Sequence, residues 1–344
     1  MSAAGARPQL DAYDQCVDRA FRRWVSTALA AELRAVAYGM PHGIGLSAAP
    51  QWQSWRAVFT SPVIRALPGV IAQGFPAVPA ATVQALGLAQ VLLVFLAFVD
   101  DRLNDGQVYL NRPLQLLRRN MEAEAQACLG AAMGERDEFW RLIRHGLREY
   151  ARVHVAEAML WSENSTGYTH ADYARDAAAK LPMAKWAGLA LAMLGQAAPA
   201  AVHRLGRAVD HCVVALQYAD DVADWEEDCC AGRWTYFIQR LLNDAELRRR
   251  VPVSVAALRE RVAFSGVAEE FLVRAQQHYD ACAALLSKFA MPAWHSWLVQ
   301  QRASLTTHIA ARQRENRRQR EQFAASLRRR LLAGDGGAGA LTGG

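Results

Sequence analysis

The chain has 344 residues, 52% of them hydrophobic and 21% charged, with 39 Lys and Arg against 33 Asp and Glu. That balance excludes a disordered polyelectrolyte, and 12 prolines and 23 glycines in no fixed period exclude a collagen-like fibre. The formal net charge is +6, and residues 311–332 alone hold eight arginines and two glutamates, so the remaining chain is charge-balanced and is not read as a nucleic-acid binder.

Taken in chain order, the first residues lack the apolar run of a signal peptide, and a cytoplasmic location is expected. Apolar positions recur at helical spacing over 13–38, and Gly39 with Pro41 closes that element. Pro50, Pro62, Pro68, Gly69, Gly74, Pro76 and Pro79 then predict short or broken helices over 40–80. Ala80 to Val99 carries no charge, which is close to the length of a membrane span. It contains Gln84 and Gln90 and runs directly into Asp100 and Asp101, so it is read as a buried helix. Further helices are predicted at about 113–132 and 136–162, then a capping-box-like start at Thr169-His-Ala-Asp172. Beyond Gly195 and Pro199 come helices at about 200–230, 234–250, 254–264, 267–289 and 292–332. No period-2 segment is long enough for a sheet. The fold class is therefore all-α, a single large helical bundle over 1–310 with a basic helical extension over 311–344. The six cysteines, including the vicinal pair Cys229–Cys230, show neither zinc spacing nor a disulfide framework.

Two acidic clusters interrupt apolar helices. The first is Phe98-Val-Asp-Asp-Arg-Leu-Asn-Asp105, and the second is Gln217-Tyr-Ala-Asp-Asp-Val-Ala-Asp-Trp-Glu-Glu-Asp228. On a helix Asp220, Asp224 and Asp228 fall at i, i+4 and i+8 on one face, with Asp221 beside them, and Asp101 and Asp105 form an i, i+4 pair. Stacked like charges destabilise a helix unless cations neutralise them. Carboxylate and amide oxygens without nearby His or Cys suit hard ions such as Mg²⁺, which prefers one or two carboxylates completed by water and phosphate. Two such walls in an apolar bundle would hold Mg²⁺ and a diphosphate, with a hydrocarbon in the apolar remainder.

This pair of motifs resembles the class I isoprenoid synthase superfamily, which comprises trans-prenyl diphosphate synthases, terpene synthases and squalene/phytoene-type condensing enzymes. Asp100, Asp101 and Asp105, as DDRLND, match the first aspartate-rich motif. Gln217 through Asp224 fits the QxxDDxxD second motif, and DDVADWEED at 220–228 is similar to the terpene-synthase second motif. Gly232-Arg-Trp-Thr-Tyr236 is similar to the segment that follows it, and Tyr173 with Lys180 keeps the spacing of a diphosphate-contacting lysine.

The resemblance implies a bundle with a central apolar cavity and three Mg²⁺ ions held with the substrate diphosphate by Asp100, Asp101, Asp105, Asp220, Asp221, Asp224 and Asp228. It implies that Arg175, Lys180, Arg233, Gln217 and Tyr236 serve the diphosphate, and that Phe95 and Phe98 face the hydrocarbon, with Trp161, Trp186, Tyr218 and Trp225 as further aromatics. Asp100, Asp101, Asp220, Asp224, Arg175 and Lys180 would carry the ionisation step.

The departures set the expected activity. Residues 40–80 hold no lysine and nothing like the basic acceptor segment of chain-elongating enzymes, and of the paired arginines usual after the first motif only Arg112 is placed to serve. The leading expectation is therefore a Mg-dependent terpene synthase that ionises a fifteen- or twenty-carbon allylic diphosphate and loses diphosphate, with a trans-prenyl diphosphate synthase or condensing enzyme as the alternative. A homodimer is compatible with the same reading. The arginine-rich end is read first as a solvated helix face, then as a lid giving arginines to diphosphate, or as a segment in weak contact with an anionic membrane surface.

Overall fold

The computed structural model describes residues 3–160, 167–242, 246 and 254–334. Among them there is no strand, in agreement with the all-α expectation. Helices α1 (Ala3–Ala28) and α2 (Ala31–Gly43) lead to three short helices, α3 (Trp55–Val58), α4 (Pro62–Arg65) and α5 (Leu67–Ala72). Then follow α6 (Ala80–Asn104), α7 (Arg112–Met133), α8 (Asp137–Leu160), α9 (His170–Lys180), α10 (Met183–Leu194) and α11 (Pro199–Cys230). The chain continues through α12 (Tyr236–Leu241), α13 (Val255–Ser265), α14 (Val267–Leu286) and α15 (Pro292–Gly334).

These helices pack as two compact units. One comprises Met1–Met159, Tyr168–Val214 and His278–Gln300, and the other the described parts of Leu160–Gly167, Ala215–Gln277 and Gln301–Gly344. Residue 310 lies inside α15. α11, α14 and α15 each contribute residues to both units.

The first unit is built around α6. Its uncharged run has a mean hydropathy of 2.2 and is mostly buried in protein, against α1, α5, α7 and α10. Gln90 shows why this helix belongs in a protein core. Its Nε2 donates to the carbonyls of Ile64 and Ala184, both at 2.8 Å, and so ties α6 to α4 and α10. A buried ion pair joins α1 to α4: Arg65 Nη2 meets Asp14 Oδ2 at 2.8 Å, while its Nη1 donates to the Phe59 carbonyl at 2.6 Å. α10 lies so close to α5 that a Cβ on Gly188 would sit 2.7 Å from a Leu67 methyl. The core of the second unit is aromatic, with Tyr218, Tyr236 and Phe237 around Phe271 at centroid distances of 5.2, 5.7 and 5.1 Å.

Most boundaries follow the local signals. Thr169 and Asp172 form a full capping box at the start of α9, and Asn111 caps α7 by accepting from the Leu114 N–H at 2.9 Å. Three boundaries depart from expectation, the first being that α1 begins at Ala3 and not near residue 13. The predicted 13–38 helix is two helices, broken where Ala30 takes ψ 146, and α2 carries Pro41 and ends at Gly43. Neither Leu29 nor Ala30 is a breaker, so tertiary packing sets that corner. The predicted 234–250 helix is described only as α12, with most of 243–253 outside the described residues.

Candidate active site

The first acidic motif closes α6. Helical geometry carries Asp100 and Asp101 on the last turns, Asp105 is the C-cap, and Gly106 at φ +69 takes the left-handed turn that ends the helix. Asp100 is half-buried and accepts a charge-assisted hydrogen bond from Arg118 of α7. Asp101 and Asp105 are exposed. α8 runs alongside. Asn104 approaches His154 Nδ1 at 3.5 Å, and the Tyr150 ring lies 4.3 Å from the His154 ring. Burial, and then the charge of Asp101, push the Tyr150 hydroxyl up to about 12, and burial pushes His154 down toward its neutral form. Buried polar atoms lacking a hydrogen-bond partner gather here: Tyr150 Oη, His154 Nε2 and Arg118 Nε. Buried polar groups are normally satisfied by protein or by ordered water.

The second motif lies on the last turns of α11. Asp220 and Asp224 are exposed on one face, one turn apart. Asp221 is buried and accepts from Gln217 Nε2 at 2.8 Å, so Gln217 orients that carboxylate. Asp228 is buried against Arg233, whose Nε and Nη2 reach its Oδ1 at 2.9 and 2.8 Å. Gly232 at φ +73 makes the turn that returns Arg233 to the helix it has just left. Tyr236 opens α12 and is buried against Phe271. Each acidic motif thus carries an arginine of its own as internal counter-ion.

The other expected residues are placed as follows. Lys180 Nζ, at the end of α9, meets Glu157 Oε1 of α8 at 2.6 Å. Arg175 is mostly exposed and spans Asp172 and Asp176 on its own helix, at 2.9 and 3.2 Å. Asp176 is buried and also accepts from Arg152 at 3.1 Å and the Tyr168 hydroxyl at 3.0 Å. Phe95 is fully buried between Trp55 and Phe59, with centroids at 5.5 and 6.4 Å, and Phe98 packs on Phe59 at 5.3 Å. Both rings are integrated into an aromatic core. Trp186, Tyr218 and Trp225 are buried, and Trp161 lies outside the described residues.

Arg118, Tyr150, His154 and Glu157 were not singled out from sequence. Arg112 is the first arginine that follows the first motif in sequence. Arg118 stands two turns into α7, and only the packing of α7 on α6 brings it to Asp100.

The donor chemistry fits a hard divalent cation: Asp101, Asp105, Asp220 and Asp224 present carboxylates on exposed helix faces, while Asp221 and Asp228 are buried. Among the described residues no three His, Cys, Asp or Glu side chains are already gathered as a metal cage.

No family model matches the chain, and no curated protein matches it. Solved structures do. A decaprenyl diphosphate synthase from Rhodobacter capsulatus is similar over 90% of this chain and 99% of its own, with a TM-score of 0.67 at 13% identity. The chain has the fold of the class I isoprenoid synthases. A polyprenyl synthase from Caulobacter crescentus, complexed with calcium and isoprenyl diphosphate, is similar over 86% of this chain and 94% of its own, with a TM-score of 0.62 at 16% identity. A polyprenyl synthetase from Streptomyces coelicolor A3(2) gives a TM-score of 0.59 at 15% identity, over 88% and 99% of the two chains. On this isoprenoid-synthase fold the two aspartate motifs end α6 and α11.

Proposed function

We propose that the chain is a divalent-metal-dependent enzyme acting on an allylic prenyl diphosphate, and specifically a trans-prenyl diphosphate synthase. The observation that carries the reading is the pair of helix-borne aspartate motifs, each with its own arginine, on an isoprenoid-synthase fold. The chain-elongating activity is preferred over cyclisation because the similar structures are polyprenyl and decaprenyl diphosphate synthases, one of them in complex with calcium and isoprenyl diphosphate.

Divalent ions held with the substrate would neutralise the charge that develops on the departing diphosphate. The chain's own residues do the rest. Asp100, Asp101, Asp105, Asp220 and Asp224 present oxygens for those ions, and Asp221 and Asp228 are oriented for the same task by Gln217 and Arg233. Arg118 and Arg233, each engaged with a carboxylate, would be available as charge-assisted donors to diphosphate oxygens, with Lys180 and Arg175 as further cationic donors. The allylic carbon–oxygen bond breaks with its electron pair leaving on the diphosphate. In chain elongation the alkene of isopentenyl diphosphate then bonds to the allylic carbon and a proton is lost to the released diphosphate. Apolar walls exclude the water that would quench the cation.

Terpene cyclisation remains the second reading, and one observation favours it. Both arginines of the 40–80 region are occupied, Arg65 in the buried pair with Asp14 and Arg56 with Asp11. An acceptor diphosphate would instead depend on arginines of α7, namely Arg112, Arg118 and Arg119.

The test is incubation with Mg²⁺ and geranyl, farnesyl or geranylgeranyl diphosphate, with and without isopentenyl diphosphate, read by mass spectrometry. Longer diphosphates formed only with isopentenyl diphosphate support the proposal. A hydrocarbon or alcohol from one allylic diphosphate alone establishes the cyclase, and absence of turnover in every mixture removes both readings.

A further inference from the structure

The C-terminal half of α15 sorts its side chains by face. At 3.6 residues per turn, Arg314, Arg317, Arg318, Arg328 and Arg329 fall within an arc of about 120° and along about 22 Å of helix. All five are exposed. The opposite face meets the rest of the second unit. There Asn316 is buried and donates to Glu269, while Phe323, still 62% exposed, lies 5.9 Å ring to ring from the exposed Phe264. At the flank Arg320 donates to the Phe264 carbonyl at 3.1 Å. The arginine arc includes one acid, Glu321, and at its margin Glu315 accepts from Arg318 at 2.9 Å. That pair is solvent-exposed and leaves most of the positive field intact.

We propose that this arc is a docking surface for an anionic phospholipid bilayer, with α15 lying flat on the headgroups. Charge complementarity carries the assignment: five arginines stand along one helix face with one acid among them, and from Arg314 to Arg329 the apolar side chain within the arc is the methyl of Ala325, too small for deep insertion. The arc also has no aromatic ring on which a base could stack, which sets it apart from single-stranded nucleic-acid surfaces. The choice of a bilayer over other polyanions rests on the function proposed above, because a diphosphate carrying a long hydrocarbon chain resides at a lipid–water interface. Near an anionic leaflet each arginine is worth about fivefold in partitioning, so five together give a large effect that salt removes.

The experiment is sedimentation of the full chain with phosphatidylcholine vesicles, with and without about a quarter phosphatidylglycerol, at low salt and at roughly 0.5 M salt. Binding only to the anionic vesicles, lost at high salt, is expected. The variant with Arg314, Arg317, Arg318, Arg328 and Arg329 all changed to Gln should lose that binding while keeping its helical circular dichroism and its turnover of soluble allylic diphosphate. Equal sedimentation with both vesicle types overturns the proposal, as does tighter binding of the protein to duplex DNA than to the anionic vesicles. Lost turnover in a folded variant overturns it in favour of arginines that serve the substrate. A chain that turns over nothing yet sediments selectively with anionic vesicles supports the docking surface and counts against the enzymatic reading alone.

Discussion

At the scale of single residues, the site is a set of carboxylates whose charge is already partly balanced by arginine. Asp100 is engaged by Arg118, and Asp228 by Arg233. A cation binding at Asp100 must displace a guanidinium that is itself suited to diphosphate. Arg118→Leu is therefore expected to act with opposite signs on two equilibria. Mg²⁺ alone should bind more tightly, and Mg²⁺ with diphosphate more weakly, by about tenfold or more for a lost charged hydrogen bond. Titration calorimetry with each ligand separates the two, and a parallel change in both would refute the exchange. Asp100→Ala and Asp224→Ala should each reduce turnover by about 10²–10³, the usual cost of losing one electrostatic contact to the reacting group, with an unchanged circular dichroism spectrum.

At the scale of helices, two cross-element contacts make stability predictions. Asp14→Ala removes the carboxylate beside Arg65 and leaves a buried guanidinium uncompensated, at a cost of about 3–5 kcal/mol. Replacing both partners with leucines should recover most of that loss, because what destabilises is the unpaired charge and not the absence of the bridge; urea midpoints measure both variants. α11 and α14 meet at His211 and His278, whose Nδ1 atoms are 2.9 Å apart. Burial and the nearby Arg207 lower the His211 pKa, while Asp210 opposes them. The unfolded imidazole, titrating near about 6.5, then takes up a proton before the folded one does. Stability should fall as pH drops below that value. His211→Gln should flatten the dependence between neutral and acidic pH, as read from the difference in denaturation midpoints.

At the scale of the whole molecule, each of the two compact units carries one of the aspartate motifs. A ligand held by a motif would stabilise the unit that carries it. Mg²⁺ with diphosphate at a hundred times its dissociation constant should add about 2.7 kcal/mol of stability, and a rise of several degrees in melting temperature. Asp100→Ala and Asp224→Ala test the two motifs separately, and at least one of them should abolish the shift. A shift that survives both substitutions would show that neither motif binds the ligand.

How much of this was legible in the sequence varied by kind of information. Local chemistry carried far: the 3.6-residue period gave the all-α class, the charge-free run to Asp100 marked α6 as a core helix, and Thr169-His-Ala-Asp172 announced the start of α9, because each is written within a few adjacent residues. The two aspartate motifs likewise carried the resemblance that pointed to the isoprenoid-synthase fold. The break between α1 and α2, the burial of Phe95 against Trp55, the engagement of Arg65 by Asp14 and the arrival of Arg118 at Asp100 all join residues distant in sequence or on different helices. No local pattern encodes them. They are decided by which helix faces pack together, and only the tertiary structure, where burial and charge neutralisation are satisfied at once, makes that choice.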